Sequence, residues 1–230
     1  MSQSMSLDLK TTPQQEKKIV YLTGSTGGIG RAISQVLESS GRYTIVPITS
    51  RLENSQALQS EITGLIKHTP PFALIHAAGF GQFKPHEEIA PKTIEKMVQV
   101  NLTAPMLLAN LCIRSLRIQQ GHIIHIASVE ATRSARWSAL YSATKTGLRA
   151  FSHCLYEELR KSGVRVTCIN PDLTRTGFFD SLDFQPAVEA DAALDPLELA
   201  QTVQLILESR GVISDVTLRP RKLGIEKKRV

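Results

Sequence analysis

The sequence predicts an α/β fold built on a doubly wound parallel sheet, and three observations carry that prediction. Short β-branched apolar runs alternate with longer helix-patterned segments along most of the chain. These runs are continuously apolar, as in strands covered on both faces, rather than alternating as in strands wetted on one. The first run leads straight into a glycine-rich turn followed by a helical pattern. With 230 residues, 42% of them hydrophobic, the chain has the size of a single domain with an ordinary core.

Taken in order, residues 1–17 are polar and unpatterned and read as a flexible arm, leaving 18–230 as the folded domain. Strands are expected at 19–23 (IVYLT), 43–49 (YTIVPIT), 72–76 (FALIH), 122–127 (HIIHIA), 164–170 (VRVTCIN) and 212–218 (VISDVTL). Helices are expected at 28–41, 54–66, 91–119 as a long pair, 138–161 and 196–209. The last has a clear start, because Asp195 can cap the helix and Pro196 fits its first position. Residues 175–194 carry aromatics with weak periodicity; a stretch of that length without an element reads as a lid or as disorder.

Charge and cysteine usage narrow the function classes. Lys plus Arg number 27 against 21 Asp plus Glu, but the excess is dispersed rather than striped along one element, so no nucleic-acid partner is expected. Only Arg219, Arg221, Lys222, Lys227, Lys228 and Arg229 cluster, and they read as a solvated or subunit-bridging tail in preference to a site for an anionic partner. No apolar run is long enough to span a membrane and the first residues lack a secretory core, so a cytoplasmic protein is expected. Cys112, Cys154 and Cys168 are far apart and lie in apolar stretches, which predicts buried free thiols and no metal site.

The segment TGSTGGIG at 23–30 is the first chemical signal. Gly24, Gly28 and Gly30, with Ser25, Thr26 and Ile29 between them, let the backbone turn tightly and present helix N–H groups to a pyrophosphate. Further along, Tyr141 and Lys145 stand four apart in a helical pattern, which places their side chains on one face about 5–6 Å apart at Cβ. An ammonium at that distance favours phenolate, so Tyr141 is expected to exchange a proton nearer neutrality than the ordinary tyrosine value of about 10. Ser128 ends a strand, where open α/β sheets place their ligands, and can donate to the same oxygen as Tyr141.

In order and spacing these motifs resemble the short-chain dehydrogenase/reductase family. The turn is TGxxxGxG rather than GxGxxG, HAAG at 76–79 resembles the family's NNAG, and Asn101 falls at its helix asparagine. YSATK supplies YxxxK thirteen residues after Ser128, and Asn170 with Pro171 resembles the NPG that precedes a cofactor-binding threonine, here Thr176. The resemblance runs over residues 19–218. It implies a Rossmann-type fold, a nicotinamide cofactor, and hydride transfer to or from a small carbonyl or alcohol substrate. Tyr141 would be the acid/base, Lys145 would also bind the nicotinamide ribose, and Asn101 would hold a water of the proton relay. Ala77, Ala78, Gly79, Pro171, Thr174 and Thr176 would touch the cofactor.

At the end of the second strand come Ser50 and Arg51, with no acid, so NADP is expected in preference to NAD. Glu53 is the competing group should the strand end lie slightly later, and Arg31 either helps a phosphate or caps a helix. Only one helical pattern fits between 51 and 72, so the edge strand that is third in this family is expected to be missing. Two further departures are His76, expected to be a hydrogen-bonded structural histidine, and Asp172, which either bonds backbone N–H groups or meets substrate. Glu130, Arg133, Trp137, Phe178, Phe179 and Phe184 are candidate substrate residues. Arg133 and Arg136 either hold an acidic group or, as the favoured reading, are solvated.

The expected function is therefore an NADP(H)-dependent carbonyl reductase or alcohol dehydrogenase. The alternative is a cofactor-binding regulatory or scaffold protein with weak or absent catalysis; an epimerase or dehydratase fits less well in a chain without a larger carboxyl-terminal substrate domain. A homodimer or homotetramer is expected, paired through Leu107, Leu108, Leu111, Leu148, Phe151 and Leu155 on the two long helices.

Overall fold

The computed structural model describes residues 16–228, so most of the expected arm, and Arg229 of the basic tail, lie outside the described residues. The strands are β1 (Lys18–Thr23), β2 (Tyr43–Pro47), β3 (Ala73–His76), β4 (His122–Ile126), β5 (Arg165–Pro171), β6 (Phe184–Pro186), β7 (Asp215–Leu218) and β8 (Ile225–Lys227). The helices are α1 (Gly28–Ser39), α2 (Ser55–His68), α3 (Pro91–Val98), α4 (Ala104–Ile118), α5 (Ala139–Leu159) and α6 (Pro196–Glu208). Six strands pair in parallel in the order β2-β1-β3-β4-β5-β7, while β6 and β8 form a separate antiparallel ribbon. This is the Rossmann-type doubly wound sheet the sequence predicts. The chain leaves β2, runs through α2 and enters β3 on the far side of β1, so among the described residues no further edge strand follows β2 and β2 ends the sheet.

The continuous apolar character of the runs follows from burial on both faces. Val20, Leu22, Ile75 and Ile124 pack under α1 and α6, whereas Tyr21, Leu74 and Ile123, one residue out of phase, pack under α2, α4 and α5. Each such side chain contributes about 1.5–3 kcal/mol of burial free energy.

Helix ends follow local chemistry. Asn54 caps α2 by accepting from Ala57 N at 3.0 Å, and Asp195 with Glu198 forms a capping box at α6 behind Pro196. Helix α1 differs, since its N-cap is Gly27 and no side chain caps it. Helices α3 and α4 join through a π-helical turn, Gln99–Thr103, and Pro105 just beyond it has no N–H to give the carbonyl of Asn101 four residues back.

Three expectations are corrected here. Leu108, Leu148 and Leu155 are buried against the chain's own sheet and Leu107, Leu111 and Phe151 pack at its margin, so these residues serve the internal core rather than an outward face. Cys112 and Cys168 are buried, and burial pushes both thiols up to about 12, but Cys154 is exposed because it sits on the outer side of α5. Of the two readings of residues 175–194, disorder is the one that fails: they hold two short 3₁₀ turns, Gly177–Phe179 and Ala190–Ala192, with β6 between them, and Phe178, Phe179 and Phe184 line a cavity beyond β4 and β5. The basic cluster keeps the solvated side chains the sequence predicts, with Arg219, Arg221, Lys222 and Lys227 exposed, while its backbone is fastened where Ile225–Lys227 pairs with β6.

Candidate active site

The glycine turn is shaped by contacts that only glycine allows. Gly24 adopts φ +70°, and a Cβ there would lie 2.7 Å from Ala78 N. At Gly28 a Cβ would meet Thr176 Cγ2 at 2.5 Å, and at Gly30 it would collide with the Gly24 carbonyl oxygen. The turn is further tied by Ala78 N donating to Thr23 Oγ1 at 3.2 Å and by Arg31 donating to Thr26 O at 2.9 Å. Arg31 therefore braces the turn. Gly28 and Thr26 are exposed, the first turn of α1 carries no acid, and its N–H groups face an open cradle suited to phosphate.

Beyond the carboxyl ends of β4 and β5 lies a cavity of about 460 Å³. Ser128, Tyr141 and Lys145 line it together with Ile29, Ala77, Gly79, Pro171, Thr174 and Thr176, so the expected chemistry and one end of the glycine turn share one space. Lys145 donates to Ile126 O at 2.9 Å. Ser128 Oγ accepts from Glu130 N at 3.2 Å and Thr174 donates to Asp172 O at 2.9 Å. Asn101 lies fully buried behind Gly79: its amide donates to Phe80 O at 2.9 Å and to Thr144 Oγ1 at 3.2 Å, and it accepts from Phe80 N at 3.2 Å. A Cβ on Gly79 would stand 3.2 Å from both Asn101 Oδ1 and Lys145 Nζ, so this glycine is what lets the two polar ends approach.

The electrostatics of the pair differ from the helical-spacing argument. Lys145 Nζ sits 5.8 Å from the Tyr141 ring centroid. Burial pushes the Tyr141 phenol up to about 12; the Ser128 hydroxyl lowers it in part and the Glu130 carboxylate raises it. Burial also brings the Lys145 ammonium down to about 8. The expected depression of Tyr141 is thus overturned, because desolvation of both groups outweighs an ammonium that is turned to a backbone carbonyl. What the site offers is a protonated phenol and a neighbouring serine hydroxyl, a pair able to donate to one oxygen.

The outer wall is aromatic and charged. Phe83 packs on Tyr141 with centroids 5.2 Å apart and on Phe184 at 5.3 Å, and Phe178 lies 5.9 Å from Tyr141. Arg133 pairs with the buried Glu130 at 2.7 Å, and Ser142 donates to the same carboxylate at 3.2 Å. Arg136 lies over the Trp137 ring at 4.5 Å. Both arginines are exposed, as the solvated reading expects, although each also has a partner at the cavity rim. Trp137 takes φ +63°, an uncommon conformation for a bulky residue, at the rim. Asp172 accepts from Leu173 N at 2.9 Å and lines the cavity as well.

Ser50 and Arg51 stand apart from the cavity, at the end of β2. Glu61 accepts from Thr49 N, Thr49 Oγ1 and Ser50 N at 2.7–3.0 Å, which pins that strand end; Arg51 is exposed. Glu53 pairs with Lys96 at 3.1 Å. Sequence reasoning missed Glu61, Thr144 and Thr23. The threonines lie inside quoted motifs, but no local pattern ties Glu61 to a strand it meets twelve residues away. His76 is also corrected: it is buried and stacked on His125 at 4.8 Å, yet neither of its ring nitrogens has a hydrogen-bond partner among the described residues.

A sequence profile described as short chain dehydrogenase matches residues 65–186, just over half of the chain. The chain belongs to the short-chain dehydrogenase family. Like other members it is an oxidoreductase. Among its relatives, an uncharacterized oxidoreductase of Staphylococcus saprophyticus is 28% identical over 89% of this chain and 98% of its own. A metagenomic short-chain oxidoreductase solved in complex with NADP is 25% identical, with a TM-score of 0.72 over 88% of this chain and 96% of its own. A 4-hydroxyisoleucine dehydrogenase complexed with NADH superposes with a TM-score of 0.75 at 23% identity, over 89% and 97% of the two chains. In this short-chain dehydrogenase, residues 65–186 run from the end of α2 to β6 and so include Asn101, Ser128, Tyr141 and Lys145.

Proposed function

We propose that the protein reduces a small carbonyl compound with NADPH, or runs the reverse oxidation, with Tyr141 as the proton-transferring residue. The observation that carries this reading is the convergence of Tyr141, Ser128 and Lys145 on one cavity that the glycine turn also reaches, through Ile29 and through Thr176 against Gly28. A nicotinamide cofactor bound there supplies or accepts the hydride. The uncapped α1 and Gly24, Ser25, Thr26, Gly28, Ile29 and Gly30 would hold its pyrophosphate, with Ala77, Ala78, Gly79, Pro171, Thr174 and Thr176 along its nicotinamide half. Ser128 and Tyr141 hydrogen-bond the substrate oxygen, and Tyr141 gives it a proton as charge develops. Lys145 orients the ribose and returns a proton towards Tyr141, and Asn101, behind Gly79, holds the water that refills the relay.

The choice of NADP over NAD is supported by Arg51. It is exposed at the end of β2, while the carboxylates nearest in sequence are engaged, Glu53 by Lys96 and Glu61 by Thr49 and Ser50. The relatives are solved with NADP and with NADH, so they do not choose between the two. Titrating the protein with each reduced cofactor by fluorescence, then following absorbance with a panel of ketones and aldehydes, tests the reading. Equal affinity for both cofactors would overturn the NADP preference, and no turnover across the panel would overturn the reductase. The remaining expectations, a single domain over 18–230, a homodimer or homotetramer and a cytoplasmic location, are proposed with it; light scattering at micromolar concentration tests the assembly.

A further inference from the structure

Residues 225–228 of the basic cluster lie against the candidate site. Strand β8 pairs antiparallel with β6, with Phe184 opposite Lys227, Gln185 opposite Glu226 and Pro186 opposite Ile225. Both ends of that ribbon are fastened. On one side Ala187 N donates to Gly224 O at 3.0 Å and Lys222 N to Asp191 O at 2.9 Å; on the other Lys228 N donates to Asp183 O at 2.8 Å. Gln185 Nε2 donates to Glu226 Oε1 at 2.8 Å across the pair. The Lys228 ammonium donates to two backbone carbonyls, Phe179 O at 2.5 Å and Asp180 O at 2.9 Å, which lie at the carboxyl end of the 3₁₀ turn that carries Phe178. Ile225 and Lys227 then take their places in the cavity wall beside Phe178, Phe179 and Phe184.

We propose that this carboxyl-terminal strand is a specificity-determining wall of the site, with Ile225 contacting the apolar end of an extended carbonyl substrate and Lys228 latching the wall to the segment that covers the cavity. Phe184 belongs to a three-residue strand whose only ladder partner among the described residues is β8, and a lone two-stranded ribbon is marginal without further fastening. The Lys228 bonds and the flanking backbone bonds provide it. Without β8 the strand that presents Phe184 has no ladder, and the aromatic wall resting on it loses its backing.

The inference rests on the proposed reductase reading for its kinetic test but not for its structural one. Hydrogen exchange is compared between the full chain, a variant ending at Gly224, and Lys228→Met. Amides of residues 182–187 should exchange much faster in the shortened protein, and those of 225–227 faster in Lys228→Met. Unchanged protection in both variants overturns the latch. Kinetically, the ratio of KM for benzylacetone to KM for acetone should rise on the order of tenfold on removing 225–230, the scale of losing an apolar contact of about 1.4 kcal/mol. An unchanged or smaller ratio overturns the wall. If the intact protein turns over neither these ketones nor any member of the ketone and aldehyde panel, the reductase reading fails, and hydrogen exchange alone decides the latch.

Discussion

At Tyr141 a hydroxyl is held protonated by burial, up to about 12, next to a lysine brought down to about 8. Two outcomes follow. Removing the hydroxyl with Tyr141→Phe deletes the proton donor but no cavity wall, so carbonyl reduction should fall about 10²–10⁴-fold. NADPH binding, read by fluorescence, should persist; retained turnover would contradict the role of Tyr141. The pH dependence has a definite sign. Lys145 is charged below about 8 and neutral above it, while Tyr141 keeps its proton through that range. kcat/KM measured with cofactor varied reports the free protein and should be level below about pH 8 and fall above it. A rise through that interval would place the titrating group elsewhere. The pairing of Tyr141 with Lys145 was legible in YSATK because helical spacing fixes which side chains are neighbours. The direction of the tyrosine shift was not legible, because spacing carries no information on how much water the fold removes.

Among the elements, the central strands hold a store of pH sensitivity. His76 on β3 and His122 and His125 on β4 are buried. His122 is brought down to about 3, first by desolvation and then by Arg165; His125 is brought down to about 3 by desolvation and then Lys145; His76 is also lowered, by desolvation and then His125. Their folded values lie below the unfolded one, so below about 6.5 the unfolded chain binds more protons and stability falls as pH drops. Between pH 7 and 5 His122 and His125 should each cost about 2 kcal/mol, and His76 adds a loss of the same sign, which urea unfolding at the two values would measure. His76→Leu should shrink that loss and be neutral or stabilising at pH 7, since it removes two unpaired buried nitrogens. A large destabilisation at pH 7 would reveal a partner for that ring. The strands themselves were readable because burial on both faces leaves a continuous apolar signature, and α6 because Asp195 and Pro196 mark its start. The β6–β8 ribbon was not, because a three-residue strand formed by two segments some forty residues apart leaves no periodicity to detect.

For the whole molecule, the consequence of losing one edge strand is that β2 is the last strand of the sheet among the described residues. The nicotinamide half of the expected cofactor path runs through a cavity walled by two strand ends and a covering ribbon, whereas its other half ends at Arg51 in open solvent. A charge contact made at Arg51 is therefore screened in a way that the enclosed contacts are not. The screening length is about 10 Å at 0.1 M salt and about 3 Å at 1 M. NADPH affinity should weaken as salt is raised over that range, NADH affinity should change much less, and the preference for NADPH should shrink accordingly. Arg51→Ala should bring the two cofactors together at low salt and remove the difference in their salt response, with turnover at saturating NADH left close to that of the parent. A salt-independent preference for NADPH, or one that survives Arg51→Ala, would mean that the additional phosphate is held by an enclosed group instead, and would move the adenine end of the site inward from the edge of the sheet.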